Sequence, residues 1–512
     1  MSQAAQATEW TGNVADPAPA AAPAGRRRLV TGTALALGVA AALSVRLAHP
    51  ELHEDEITYM SRVLESMAQG SVFPIQENGA LFVNKPPLAL WLMRLSFQVL
   101  GPSPFAARLP SVLAGTAAAV LLYAFAASRF GERVGILAAL VLSLTPGLMV
   151  LHGTRGAVPD ALEILLVTSA VVALESWRRR RRPWMLACLV ALVGATAWVK
   201  SPFALLFFLA VLLATEPSAR RAGQGTPRLG ATVAWVAGAW LGLYILWLGA
   251  LSLDTSARAV KNQLLVRQYE YRIEGQPGVS HVEGPGYYAV TLARDFGPLL
   301  LLPAGVAAME LLASRGRWRA PRYEIALLLV WSLAAPVLAT ASVSKLPWYA
   351  YLSYPGIALL LAASADRLAR AVSSRSSVQL ALLLAVALAQ AARIPIERVW
   401  PARAQYRGLP GRLWEVARGD PRIRVVAGPD FELPRSRDIA YREARLFVKI
   451  LLWKSSRDAP APGSCQVILV SDLPAGLETA EALQLQPATH WSSALYLLDK
   501  CGGEVRQEIA GP

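Results

Sequence analysis

Apolar positions along this chain form long unbroken blocks, not the alternation of a half-buried strand or the narrow stripe of a soluble helix. Eleven such runs lie near 29–48, 105–127, 134–152, 160–176, 184–199, 202–214, 229–251, 287–313, 323–342, 350–365 and 377–393. A helix needs roughly 20 apolar residues to cross the hydrocarbon layer. The pattern therefore predicts an all-α polytopic membrane bundle of about 11 transmembrane helices. The first run follows Arg26, Arg27 and Arg28, and it is longer than a signal-peptide core. Arg46, His49 and Pro50 at its end make a poor cleavage site, so it is read as an uncleaved first span. Lys200, Ser201 and Pro202 interrupt the 184–214 stretch, which predicts a tight hairpin with Lys200 at its outer tip.

The ends depart from this pattern. Residues 1–28 are rich in Ala, Pro and Gly and predict a disordered cytoplasmic tail. Residues 29–395 form the transmembrane domain. Residues 400–512 carry charges, Pro and Gly, with strand-like stretches at Ile423–Ala427, Val467–Val470 and Ala494–Leu498. They predict a small extracytoplasmic α/β domain.

Composition sharpens the class. Hydrophobic residues make up 54% of the 512, and charged residues only 17%, against about 25% in soluble chains. An ordinary soluble enzyme and a disordered chain are both excluded. The net charge of +15 would suit a nucleic-acid binder, but the arginines are placed otherwise. One orientation puts every dense cluster on the cytoplasmic side: Arg26 to Arg28, Arg129 with Arg133, Arg178 to Arg182, Arg220 to Arg228, Arg315 to Arg322, and Arg367 to Arg375. The run Arg178 to Arg182 is then a topology signal. An odd number of spans leaves residues 400–512 outside. Three cysteines exclude a cysteine-based metal framework. Cys188 lies within a span and is expected to pack there. Cys465 and Cys501 flank two strand-like stretches, and antiparallel pairing would bring them to one end, where a disulfide is expected.

The outer connections hold the unusual chemistry. The loop 49–104 contains Glu51, His53, Glu54, Asp55, Glu56 and Tyr59, then Lys85-Pro86-Pro87. Asp55 and Tyr59 are four apart and share a helical face. The next connection holds Arg155 and Asp160; the third holds Lys200. The loop 252–286 mixes Arg258, Lys261, Arg267, Arg272, Tyr269, Tyr271 and His281, and a later turn carries Lys345 and Tyr349. Ionisable groups at a membrane boundary are costly and usually line a pathway or a site. Carboxylates among separate cations suggest a base beside an anion site, and a lipid phosphate is a natural occupant. His152 and His281 are read as structural or solvated, and Asp160 taken alone as a helix cap.

Several blocks together resemble a known group. His53-Glu54-Asp55-Glu56-Ile57-Thr58-Tyr59, Gly70, Pro74 and Asn84-Lys85-Pro86-Pro87-Leu88-Ala89-Leu90-Trp91 are similar to the first outer loop of bacterial lipid-linked sugar transferases. Phe105 to Ser111, Arg155 to Asp160, Trp198 to Pro202 and Ser344 to Tyr349 follow in order. The chain resembles, over roughly 30–395, the aminoarabinose-transferase-like and protein-mannosyltransferase-like group of the GT-C superfamily. That resemblance implies a GT-C type fold and transfer of a sugar from a polyprenyl-phosphate carrier, commonly with inversion, to an acceptor on the outer face of the bacterial cytoplasmic membrane. The acceptor class is lipid A, another glycolipid, a polysaccharide or a protein. By matching positions, Asp55 would be the catalytic carboxylate, Glu56 its support or an acceptor contact, and Asp160 a second acid of the cavity. Lys85 would bind the carrier phosphate, with Tyr59, Arg155, Lys200, Lys345 and Tyr349 as further substrate contacts.

Physical chemistry agrees with those roles. Inverting displacement needs a base on one face of the sugar carbon and stabilisation of the leaving phosphate on the other. A nucleotide-sugar donor is not implied, since there is no Gly-rich phosphate loop and no Asp-x-Asp metal motif. Asn84 stands where relatives often carry an acid that helps hold a metal, so no cofactor is assigned and a divalent metal is the minor alternative. A lipid-linked-sugar flippase is the second functional reading; it would call for inverted repeats with midplane charges. A non-catalytic anchoring protein is the third. The loop 252–286 is expected to close over the cavity.

Overall fold

The computed structural model describes residues 22–48, 52–72, 76–77, 80–81, 85–150, 152–200, 202–254, 281–313 and 323–399, together with four strands beyond them. Helices lie on all eleven apolar runs: α1 (Ala22–Ser44), α4 (Pro104–Arg129), α5 (Glu132–Ser143) with α6 (Pro146–Val150), α7 (Asp160–Arg180), α8 (Pro183–Thr196), α9 (Phe203–Arg221), α10 (Leu229–Asp254), α11 (Tyr287–Phe296) continuing into α12 (Leu301–Ala313), α13 (Tyr323–Thr340), α14 (Tyr354–Val372) and α15 (Ser376–Ala391). Between α1 and α4 lie α2 (Glu54–Ala68), a two-residue antiparallel ribbon of β1 (Gln76–Glu77) and β2 (Ala80–Leu81), and α3 (Leu88–Leu100). Among the described residues, five helical stretches are long and apolar enough to cross a membrane: Pro104–Arg129, Phe203–Arg221, Leu229–Leu253, Tyr287–Leu312 and Tyr323–Thr340. This is a multi-pass membrane protein.

Local sequence explains the boundaries. Ser103 caps α4, its hydroxyl accepting from the Ala106 amide at 3.2 Å, and Pro104 occupies the first turn, where no amide is needed. The α4 and α5 backbones approach closely at Gly135. A Cβ there would lie 2.8 Å from the Tyr123 carbonyl oxygen and 2.9 Å from the Ala127 nitrogen. Lipid offers helices no hydrophobic force for association, so small residues that permit close packing do that work. The main core threads α4, α5, α7, α9, α13 and α14 through Leu122, Val141, Val171, Phe207, Trp331 and Tyr354. A second cluster joins α7, α8, α9 and α10 around Leu189, Phe208 and Trp240.

Two expectations change. Arg178 does not lie in a loop. It is buried in the last turn of α7 and donates to Thr226, Thr215 and the Tyr323 hydroxyl, each at 2.9 Å, and to Glu216 at 3.2 Å. A buried guanidinium needs a partner for each N–H, and residues of α9, α13 and the 222–228 turn supply them. Arg179 to Arg182 are exposed, as expected of a basic flank. Lys200, expected at an outer tip, is also buried, for the reason given below. The hairpin itself stands: α8 ends at Thr196, a turn follows, and α9 begins at Phe203.

Beyond residue 400 the described residues form one four-stranded sheet in the order β3 (Ile423–Ala427), β4 (Cys465–Val470), β6 (Leu495–Asp499), β5 (Ala482–Gln486). β3 and β4 are parallel, while β4 pairs antiparallel with β6, Val467 opposite Asp499. A Cys465–Cys501 disulfide would call for such pairing; Cys501 lies outside the described residues, as do Glu51, Asn84, Arg258, Lys261, Arg267, Tyr269, Tyr271, Arg272 and the cluster Arg315 to Arg322.

Candidate active site

The site starts from α2. Its capping box closes through Glu56, whose Oε2 accepts from the His53 amide at 2.9 Å. The same carboxylate receives a bidentate Arg108 from α4, at 2.7 and 2.9 Å, and the Ala157 amide at 2.8 Å. Arg108 also donates to the Leu47 carbonyl at 3.0 Å. One buried carboxylate thus ties together α2, α4 and the 151–159 connection. Burial pushes the Glu56 carboxyl up, but the Arg108 guanidinium beside it and the bonds from Arg108, His53 and Ala157 outweigh that and hold it below the usual carboxylate range. With four donors on its two oxygens, Glu56 is a holding group.

Asp55, one residue earlier, points the other way and remains 40% exposed at its side chain. Its Oδ2 lies 3.1 Å from His152 Nε2, at contact distance but outside hydrogen-bond alignment. The His152 ring stacks on Trp348 at 3.7 Å between centroids and 21° between planes, and meets the edge of His53 at 5.2 Å. Its other nitrogen is 3.7 Å from Asp160 Oδ2.

Asp160 opens α7 but does not cap it. Its Oδ1 accepts from Lys200 Nζ at 2.5 Å, and this is why Lys200 is buried: the turn after α8 folds the ammonium inward onto two carboxylates, Asp160 and Glu163, the latter 3.9 Å away. Tyr349 stands over the same ammonium, 5.9 Å from ring centroid to Nζ. The Lys-Pro-Pro-Leu block is bound to this turn directly. The Leu88 amide donates to the Trp198 carbonyl at 2.9 Å, and Trp91 meets Trp198 edge to face at 5.5 Å. Lys85 then lines a largely apolar cleft together with Tyr59, Pro86, Leu90, Met93, Pro110 and Val158.

Two expected contacts are engaged elsewhere. Arg155 donates to the Leu43 carbonyl at 3.0 Å and to the Val45 carbonyl, closing the C-terminal end of α1. Lys345 Nζ donates to the Ser342 and Glu283 carbonyls at 2.7 and 3.0 Å, stitching the 342–345 turn to the segment after His281. The side chains that converge are therefore Asp55, Asp160, Lys200 and Tyr349, with Glu56 behind. Four participants escaped the sequence reading: His152, Glu163, Trp348 and Arg108. His152 was assigned a structural or solvated place, yet it lies between both acids. Its one available signal was position, in the same short connection as Arg155 and Asp160. Among the described residues no three or more His, Cys, Asp or Glu side chains are arranged to hold a metal ion.

The turn carrying His152 depends on Gly153. A Cβ there would lie 2.0 Å from the Leu148 carbonyl oxygen, which already accepts from the Thr154 amide at 2.7 Å. Gly153→Ala must displace backbone, and overpacking of this kind costs about 1–3 kcal/mol. The expected result is a lowered unfolding temperature in detergent; an unchanged one would contradict this geometry.

Residues 84–242 match the family model for dolichyl-phosphate-mannose-protein mannosyltransferase, a segment holding Lys85, His152, Asp160 and Lys200. The Bacillus subtilis (strain 168) protein named Putative mannosyltransferase YycA is 27% identical over 139 residues, which is 26% of this chain and 20% of that protein. The chain thus matches only about a fifth of that relative's length. Among solved structures, apo ArnT from Cupriavidus metallidurans superposes with a TM-score of 0.61 at 16% identity, covering 96% of this chain and all of that one. The same protein bound to undecaprenyl phosphate gives 0.60 at 16% identity, covering 94% and 99%. At that identity the likeness is one of fold, and it spans the molecule. The chain therefore shares the fold of ArnT along its length, and within it residues 84–242 are similar to the dolichyl-phosphate-mannose-protein mannosyltransferase family.

Proposed function

We propose that this chain is an integral membrane glycosyltransferase. It moves a sugar from a polyprenyl-phosphate carrier to a cell-envelope acceptor on the outer face of the cytoplasmic membrane, with inversion. The observation that carries this is the placement of a half-exposed carboxylate, Asp55, beside a buried Asp160–Lys200 pair next to a largely apolar cleft lined in part by Lys85. ArnT, the solved protein of like fold, holds undecaprenyl phosphate, and the cleft here suits such a chain, with Lys85 as the point charge for its phosphate.

Asp55 takes the proton of the acceptor hydroxyl as its oxygen bonds to the sugar's anomeric carbon. The carbon–oxygen bond to the phosphate breaks, and the phosphate leaves with its electron pair. Lys85 stabilises the charge developing there. Glu56 and Arg108 fix the start of α2, and with it Asp55. Asp160 and Lys200, with Tyr349, shape the wall toward the sugar. We further assign eleven crossings, a cytoplasmic tail 1–28, a catalytic domain 29–395 and an extracytoplasmic α/β domain 400–512; most of the loop 252–286 lies outside the described residues.

A binding measurement tests the donor half. Lys85→Ala is expected to weaken undecaprenyl phosphate affinity by about 10- to 100-fold, since a bond to a charged group contributes about 1.5–3 kcal/mol. Equal affinity in wild type and variant would move the phosphate elsewhere.

A further inference from the structure

Two carboxylates from different helices meet one buried imidazole, and the reaction above uses only one of them as a base. Asp55 is the more open partner: its side chain is 40% exposed, in the first turn of α2. His152 is the opposite. It is buried, its ring plane is set by the stack on Trp348, its Nδ1 lies 3.7 Å from Asp160 Oδ2, and Asp160 is itself pinned by Lys200. Its backbone is fixed by the Gly153 turn. Nε2 is nine-tenths buried, has no aligned hydrogen-bond partner, and faces Asp55 Oδ2 at 3.1 Å.

We propose that His152 is a positioning residue for transfer. Its Nε2–H donates to Oδ2 of Asp55 and so turns Oδ1 to the acceptor hydroxyl. A close contact that straightens into an aligned hydrogen bond as the acceptor is seated is what a base holder requires. The same imidazole spaces Asp55 from Asp160. This rests on the transferase reading, with Asp55 as its base, and adds to it the group that aims the base.

The test measures initial rates in membrane vesicles that retain their own donor and acceptor, by mass spectrometry of the sugar-bearing product, together with undecaprenyl phosphate binding by thermal shift. His152→Ala is expected to lower the rate about 100-fold, the usual consequence of a reacting group displaced by about an ångström, while binding undecaprenyl phosphate as wild type does. His152→Gln, which keeps an N–H donor directed at Asp55, is expected to recover at least about tenfold of that loss. Adding His152→Ala to Asp55→Asn is expected to change nothing further, because a residue acting through another has no separate effect. An equal multiplicative loss in the Asp55→Asn background would overturn the proposal, and so would a glutamine variant no better than alanine. If the alanine variant fails to accumulate, Gln against Asn decides, with Gln alone active as the supporting result and equal rates as the contrary one. An Asp55→Asn protein as fast as wild type would instead remove the base assignment itself, whatever the His152 variants do.

Discussion

Asp55→Asn is expected to leave the protein folded and abundant in the membrane and to lower sugar transfer by about 10²- to 10⁴-fold, the usual contribution of a positioned general base. Three features support a chemical loss without a structural one. Asp55 is partly exposed, asparagine has its shape, and its structural neighbour Glu56 already carries the bonds that hold α2. Undecaprenyl phosphate binding should persist, because Asp55 does not line the cleft and the cleft's α2 contribution, Tyr59, is unchanged. Transfer at the wild-type rate would contradict the assignment; loss of protein from the membrane would give Asp55 a structural role.

Arg108→Ala is expected to do the reverse and destabilise the fold. It strands the buried Glu56 carboxylate, and removing one partner of a buried pair costs about 3–5 kcal/mol. The loss should fall on α2 first, since Glu56 is also its cap and its tie to Ala157. Hydrogen exchange would register it as faster exchange of 54–68 at neutral pH, with α13 unaffected. The sign of the pH dependence follows from the depressed Glu56 carboxyl. Its stabilisation is fully present above the unfolded carboxylate pKa, near 4.3, and is lost as pH falls through the lower folded value. Wild type should therefore loosen around α2 only in acid. Equal stability of wild type and Arg108→Ala at pH 7 would contradict the clamp.

Much of this was legible in the sequence. Apolar runs mark each long helix because lipid demands unbroken apolar surface. Asp55, Lys85, Asp160 and Lys200 stood out because charge beside a span is costly enough to need a reason. What could not be read is direction. Lys200, Arg155 and Lys345 are equal cations on paper, yet the first folds onto a carboxylate pair while the others take backbone carbonyls. Arg178 looked like a flank charge and is the buried hub of a polar cluster. His152 carries no periodicity, and its partners Asp55 and Trp348 lie on elements far away along the chain. Arg108 was hidden inside a block read as the start of a span. Such pairings depend on how the helices pack, which period and composition do not encode. Beyond residue 400, strand-like runs located β3, β4 and β6, while the short β5, Ala482–Gln486, lacked a run apolar enough to notice.

The most direct measurement is mass spectrometry of lipid and glycan extracts from cells with and without this protein. A transferase predicts that one glycoconjugate loses a single sugar in the deletion, that its carrier-linked donor accumulates, and that restoring the wild-type chain but not Asp55→Asn repairs it. An unchanged profile, or full repair by Asp55→Asn, would contradict the proposed activity.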